Sequence, residues 1–151
     1  MSSFIIKARL VLKKANQVLL LTQTNEKGGK LTLPGGTVEG PEFALETLVR
    51  ECQEEIGITL NPTHLSLIHV LHKKKGKDNR ITIYFTTTQY QGTLHVRETN
   101  KFQGFAWASL RDLPPKTSPT VKHVIRQINQ NVQYSEWSKK IQPSQAPNKL
   151  T

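Results

Sequence analysis

Glu51, Glu54 and Glu55 stand close together within the stretch Gly35 to Ile58. On a helix they fall within about 100° of one another. Like charges at i, i+3 and i, i+4 cost a few tenths of a kcal/mol per pair, roughly what opposite charges gain. A cation bound there removes that penalty. Carboxylate oxygens are hard ligands and suit Mg2+ or Mn2+ better than zinc. Such an ion neutralises phosphate charge and lowers the pKa of a bound water. Arg50 can pair with Glu46 at i−4 or Glu54 at i+4 and so hold a ligand carboxylate in place. The competing reading is a solvated helix with surface ion pairs. Gly35-Gly36 before the cluster and Gly57 after it weigh against that reading.

The helix carrying these residues is expected to begin near Pro41 or Glu42. Proline suits the first helical position, and Glu42 adds a carboxylate at the positive end of the dipole. Leu45, Leu48, Val49, Cys52 and Ile56 form an apolar stripe, which leaves the glutamates on the opposite flank. Gly57 is placed to end the helix. Strands are expected at Phe4 to Leu12, with Ile6, Ala8, Leu10 and Leu12 on one face, and at Val18 to Thr22, buried on both faces. Further strands follow at 31–33, 65–72, 81–88 and 104–108, and Pro119 opens a final helix. The basic run Lys73, Lys74, Lys75, Lys77, Arg80 reads as a solvated loop. Strands and helices are mixed without regular alternation, which predicts an α+β fold on a mixed sheet.

At 151 residues the chain suits one core. We assign residues 1–137 to a single domain and 138–151 to a flexible polar tail. One cysteine excludes a disulfide framework and a multi-cysteine zinc site. Cys52 lies on the apolar stripe and reads as packing. Lys7 and Arg9 interrupt the most apolar N-terminal stretch, so no membrane span or cleaved leader is expected there. A soluble cytoplasmic protein is expected, and a homodimer is compatible with the sequence. The formal net charge of +10 favours anionic ligands such as nucleotides and phosphates. Nucleic acid is not expected as a partner, because no aromatic residues interleave with the basic run. His69 and His72 point to opposite faces of a strand, and His64, His95 and His123 show no partnered pattern.

Gly36, five residues, Glu42, seven residues, Arg50-Glu51, an apolar residue, any residue, Glu54-Glu55, any residue, Gly57 and an apolar residue make up a complete pattern. It resembles the signature of the Nudix hydrolase family at every fixed position. The resemblance implies an α/β/α sandwich around a mixed sheet. It also implies Mg2+- or Mn2+-dependent hydrolysis of nucleoside diphosphates linked to another group. Glu51, Glu54 and Glu55 would bind metal, with the Gly36 carbonyl as a further ligand. Gly35 and Gly57 would shape the loop and helix, and Glu42 would help fix them through Arg50. Arg50 would orient the glutamates, and one of the helix glutamates or Glu98 would act as the general base.

The second half resembles a MutT-like branch of that family through Arg80-Ile81, Tyr84-Phe85, Tyr90-x-Gly92, Glu98-x-x-Lys101, Trp107 and Leu113-Pro114. This implies that Glu98 approaches the metal site and that Lys101, Tyr84 and Arg80 contact substrate. A nucleoside triphosphate is then the expected substrate, cut to nucleoside monophosphate and pyrophosphate. The alternatives are a dinucleoside polyphosphate, a nucleoside-diphosphate sugar, or a noncatalytic module binding nucleotide or RNA. Noncatalytic relatives usually lose glutamates of the signature, and this chain keeps all of them.

Overall fold

Strand β1 (Ser3–Lys14) is the axis of the sheet in a computed structural model that describes residues 3–138. It pairs antiparallel with β2 (Gln17–Gln23) and with the short β4 (Gly35–Thr37). On its other side it runs parallel to β6 (Asp78–Thr87), with Lys7 opposite Thr82 and Arg9 opposite Tyr84. β2 carries β3 (Leu31–Thr32) and β7 (Phe102–Ser109). β6 carries β5 (Ser66–Lys75), whose outer neighbour is the parallel strand β8 (Tyr134–Trp137). Both strand directions occur, so the sheet is mixed, and the α+β expectation holds.

Helix α1 (Ala44–Ile56) and helix α2 (Pro119–Asn129) cover opposite faces. The period-two alternation of β1 and β2 divides the core between them. Ala8, Leu10, Leu12, Leu19 and Leu21 pack with Leu48, Cys52 and Ile56 of α1. Val11, Val18 and Leu20 pack with Val121, Val124 and Ile125 of α2. β2 is thus buried on both faces, as its continuous apolar run predicts. Ile6, placed by the same alternation beside Ala8, stays 45% exposed.

Two expectations are corrected, and one strand is added. Helix α1 starts at Ala44, not at Pro41 or Glu42. The Glu42 N–H closes a turn onto the Glu39 carbonyl, and Phe43 is extended. Glu46 then accepts a hydrogen bond from the Phe43 N–H, which satisfies one of the amides left open at the start of the helix. The basic run is also not a loop. Lys73 pairs with Arg80, Lys74 with Asn79 and Lys75 with Asp78, and the chain reverses through Gly76. Backbone pairing holds these residues in a hairpin in spite of their charge. Finally, β8 was not expected. It has four residues and no alternation to announce it. The expected tail, 138–151, lies outside the described residues except for Ser138.

His69, Ser135 and His123 form a buried chain between β5, β8 and α2. His69 Nδ1 lies 2.8 Å from the Val132 carbonyl. Its Nε2 lies 2.8 Å from Ser135 Oγ, which is 2.9 Å from His123 Nε2. The carbonyl can only accept, so His69 carries its proton on Nδ1. Ser135 therefore donates to His69 Nε2 and accepts from His123 Nε2. His123 Nδ1 is left as a buried lone pair without a partner. The sequence showed no partner for His123, because this chain of contacts joins three separate elements.

Candidate metal centre

The site is built where β4 crosses the middle of α1. Gly35 and Gly36 bring the backbone of β4 against β1 and α1. Gly35 has φ 136°, and a Cβ there would collide with the Ala8 carbonyl. A Cβ on Gly36 would lie 2.7 Å from Cδ of Glu51. Gly35 requires glycine for space and for conformation, whereas a side chain at 36 would push the Glu51 carboxylate aside. The close approach lets the Gly35 N–H donate to Glu55 Oε1 at 2.9 Å. Arg9 of β1 fixes the entry to β4, donating from Nη1 to the Leu33 and Gly35 carbonyls at 3.1 and 3.2 Å.

Glu51 and Glu55 are one helical turn apart and face β4. They are 8% and 2% exposed, so they do not project from a free flank of the helix. Glu98 reaches them from the irregular segment after Gly92. That segment runs along the end of α1, where the Arg97 N–H donates to the Glu55 carbonyl at 2.8 Å. Arg97 Nη1 also donates to the Gln53 carbonyl at 3.0 Å. These bonds satisfy carbonyls at the end of the helix and deliver the next residue, Glu98, to the site. Gly57 ends α1, its N–H donating to the Gln53 carbonyl.

One oxygen each from Glu51, Glu55 and Glu98 lies within 4.8 Å of the other two. Burial pushes the Glu55 carboxyl up to about 8, against the Gly35 hydrogen bond, and neighbouring carboxylates add to the rise. Glu51 is also raised, first by burial, although Arg50 opposes it. Glu98 Oε1 is buried with no hydrogen-bond partner. Buried carboxyl oxygens so close together repel unless protonated or bound to a cation. The orphaned oxygen and the hard donor set fit a divalent ion. Gly36 lies directly against the Glu51 carboxylate. Glu54 stands outside this group, its side chain 50% exposed and 3.2 Å from Arg50 Nη1.

Arg50 ties the surroundings together. It grips Glu42 with two hydrogen bonds, Nε to Oε2 at 2.7 Å and Nη2 to Oε1 at 3.0 Å. Its Nη1 donates to Glu51 Oε1 at 2.8 Å. The Arg50 hydrogen bonds hold the Glu42 carboxyl at about 2. Glu42 Oε1 also accepts from Thr47 Oγ1. Glu46, the other partner considered for Arg50, instead caps the helix start.

Lys101 Nζ lies 3.4 Å from Glu98 Oε2. Burial disfavours its ammonium, but Glu98, Glu51 and Glu55 raise its pKa overall. Arg80 and Tyr84 are not brought to the carboxylates. They line a separate cavity on the α2 face of the sheet. Trp107 is half-buried against the α1-side core, with Lys14 Nζ 4.3 Å from its ring centre. Cys52 is buried, and burial pushes its thiol well up. Arg9 and Arg97 were missed in the sequence. Arg9 appeared only as a charge interrupting a strand, and nothing in the spacing pointed to Arg97.

A mixed sheet between two helices, with a Gly-Gly strand leading to a helix that carries buried glutamates, defines the Nudix class. The sequence matches the NUDIX domain over residues 6–128, and the chain belongs to that family of hydrolases. It is 29% identical over 122 residues to the 8-oxo-dGTP diphosphatase of Escherichia coli (strain K12), covering 77% of this chain and 92% of that protein. The fold is similar to that of a MutT NUDIX hydrolase from Burkholderia pseudomallei, with TM-score 0.75, 21% identity and coverage of 83% and 98% of the two chains. It is also similar to the MutT protein of Methanosarcina mazei Go1, with TM-score 0.73, 20% identity and coverage of 85% and 95%. Among the described residues no helix is long and apolar enough to cross a membrane.

Proposed function

We propose that this chain is a divalent-metal-dependent pyrophosphohydrolase of nucleoside triphosphates, yielding nucleoside monophosphate and pyrophosphate. The observation that carries the reading is the meeting of Glu51, Glu55 and Glu98 oxygens within 4.8 Å, beside an arginine-clamped Glu54. The similarity to a bacterial 8-oxo-dGTP diphosphatase supports the substrate class. Mg2+ or Mn2+ held by Glu51, Glu55 and Glu98 would neutralise phosphate charge and lower the pKa of the attacking water.

The chain's own groups supply the rest. Water attacks a phosphorus of the triphosphate, and the bond from that phosphorus to the bridging oxygen breaks. Glu54 takes the proton, because it is exposed to solvent while Arg50 fixes its direction. The ammonium of Lys101 faces the same space and stabilises negative charge as it develops on the phosphate oxygens. Arg50 and Glu42 keep Glu51 and Glu54 from rotating away.

The test is turnover with Mg2+ against a panel of unmodified and oxidised nucleoside triphosphates, dinucleoside polyphosphates and diphosphate sugars. Glu54→Gln is expected to keep its fold and to lose nearly all activity. Near-normal turnover in that variant sinks the mechanism, and a preference for diphosphate sugars sinks the substrate class.

A further inference from the structure

The α2 face of the sheet carries a second charged feature that the hydrolytic reading does not use. Lys7 and Arg9 of β1, Lys73 of β5 and Arg80 of β6 line one cavity of about 140 Å³. The strand registers put them there. Lys7 lies opposite Thr82, Arg9 opposite Tyr84 and Lys73 opposite Arg80. Among the described residues no Asp or Glu lines the cavity. Its remaining wall includes Ser118 and Thr120, at the start of α2. Ser118 is the residue that caps this 11-residue helix, yet its side chain makes no capping hydrogen bond. The positive end of the helix dipole therefore adds to the four cations.

Among the described residues none of the four pairs with a carboxylate. Arg9 spends Nη1 on two backbone carbonyls. Lys73 Nζ donates to Thr120 Oγ1 at 3.0 Å and lies 4.9 Å from the centre of the Trp137 ring. Burial, then Arg9, Arg80 and Lys73, push Lys7 down to about 8. Self-repulsion of this kind costs stability, and a bound anion offsets it.

Size narrows the occupant. Ordinary small-molecule sites span roughly 300–1,000 Å³, and a water takes up about 30 Å³ of liquid. A cavity of about 140 Å³ is small for a whole nucleotide and has room for an ion-sized group with a few waters, and its four cations favour an anion. It also adjoins the metal centre. Arg9 donates to the carbonyl of Gly35, and the N–H of the same residue donates to Glu55.

We propose that this cavity is an anion subsite that binds a phosphate group, by means of Lys7, Lys73, Arg80 and the first turn of α2. The phosphate is either carried by the substrate, away from the bond that is cut, or is free inorganic phosphate acting on the enzyme. In the first case, which rests on the nucleotide reading above, the substrate class is nucleotides phosphorylated at a second position.

The experiment begins with binding alone. The full chain in EDTA is titrated with inorganic phosphate by calorimetry, against sodium chloride at matched ionic strength. Wild type is expected to bind phosphate selectively. Lys7→Gln and Lys73→Gln are each expected to bind about tenfold or more weakly, the loss typical of one charged hydrogen bond. Lys7→Gln removes one repelling charge, so without phosphate it is expected to unfold at or above the wild-type temperature. No phosphate-specific binding, or equal affinity in wild type and both variants, overturns the subsite.

Turnover then separates the sources. A substrate-borne phosphate predicts a KM about tenfold lower for a 3′-phosphorylated nucleoside triphosphate than for its plain counterpart, a gain lost in Lys7→Gln. A free effector predicts instead that inorganic phosphate changes plain triphosphate turnover in wild type and not in Lys7→Gln. If no nucleotide is cleaved at all, the nucleotide reading falls, and binding in EDTA still decides the subsite.

Discussion

Replacing His123 by glutamine tests the buried histidine chain through its pH dependence. Burial, then His69 and Arg126, push His123 down from 6.5 to about 4. The hydrogen-bond chain gives the local reason. A second proton on His123 must go to Nδ1, which is buried and faces no acceptor. Between about pH 6.5 and 4 the unfolded chain binds the proton and the folded protein does not. Stability is therefore fully present above 6.5 and falls as pH drops toward 4. The full gap is worth about 3 kcal/mol, of which about 2 kcal/mol is expressed between pH 7 and pH 5. His69 is lowered too, first by burial, and adds in the same direction.

Glu55 works the other way, because its raised pKa makes the metal-free folded protein the better proton binder. The decisive quantity is thus the difference between wild type and His123→Gln, in which Glu55 cancels. A glutamine amide can still donate to Ser135, so the variant keeps the contact and loses the titration. Urea unfolding, followed by the fluorescence of Trp107 and Trp137, is measured at pH 7 and pH 5. Wild type is expected to lose about 2 kcal/mol more than the variant between those values. Parallel pH profiles refute the assignment of protons along the chain.

Two further outcomes bear on the metal centre. Gly36→Ala places a Cβ 2.7 Å from Cδ of Glu51 and forces that carboxylate aside. Displacements near 1 Å can cost about 100-fold in rate, so kcat is expected to fall by that order while the far-ultraviolet circular dichroism is retained; a kcat within twofold of wild type counts against the geometry. Mn2+ or Mg2+ at about 100 times its Kd is expected to stabilise the protein by about 2.7 kcal/mol, which raises Tm by roughly 5–11 °C at this chain length. Glu98→Gln is expected to shrink that rise, and an undiminished rise removes Glu98 from the ligand set.

The reach of the sequence follows how locally each interaction is encoded. Glu51 and Glu55 are one helical turn apart, so their meeting follows from helix geometry alone, and the glycines around them are equally local. Arg50 shows where that ends. Its strongest partner, Glu42, lies outside the helix, brought close by the turn that the Glu42 N–H makes to Glu39. Helical spacing offered Glu46 and Glu54, and Glu42 entered as a partner of Arg50 only through resemblance to a family. Glu98 entered through resemblance to a family, since its place depends on Arg97 bonding to the end of α1. The basic hairpin was misread because charge suggests solvent, whereas β5 and β6 are held by backbone pairing. The same limit hid the cavity. Lys7 and Arg9 looked like interruptions in an apolar strand until parallel pairing with β6 set them near Arg80. Had those two residues only kept the strand out of a membrane, any exposed position would have served. They lie instead beside two further cations and a helix start, with no carboxylate among the described residues that line the cavity. An anion between these cations would offset their repulsion, as a cation would offset the repulsion among the three glutamates.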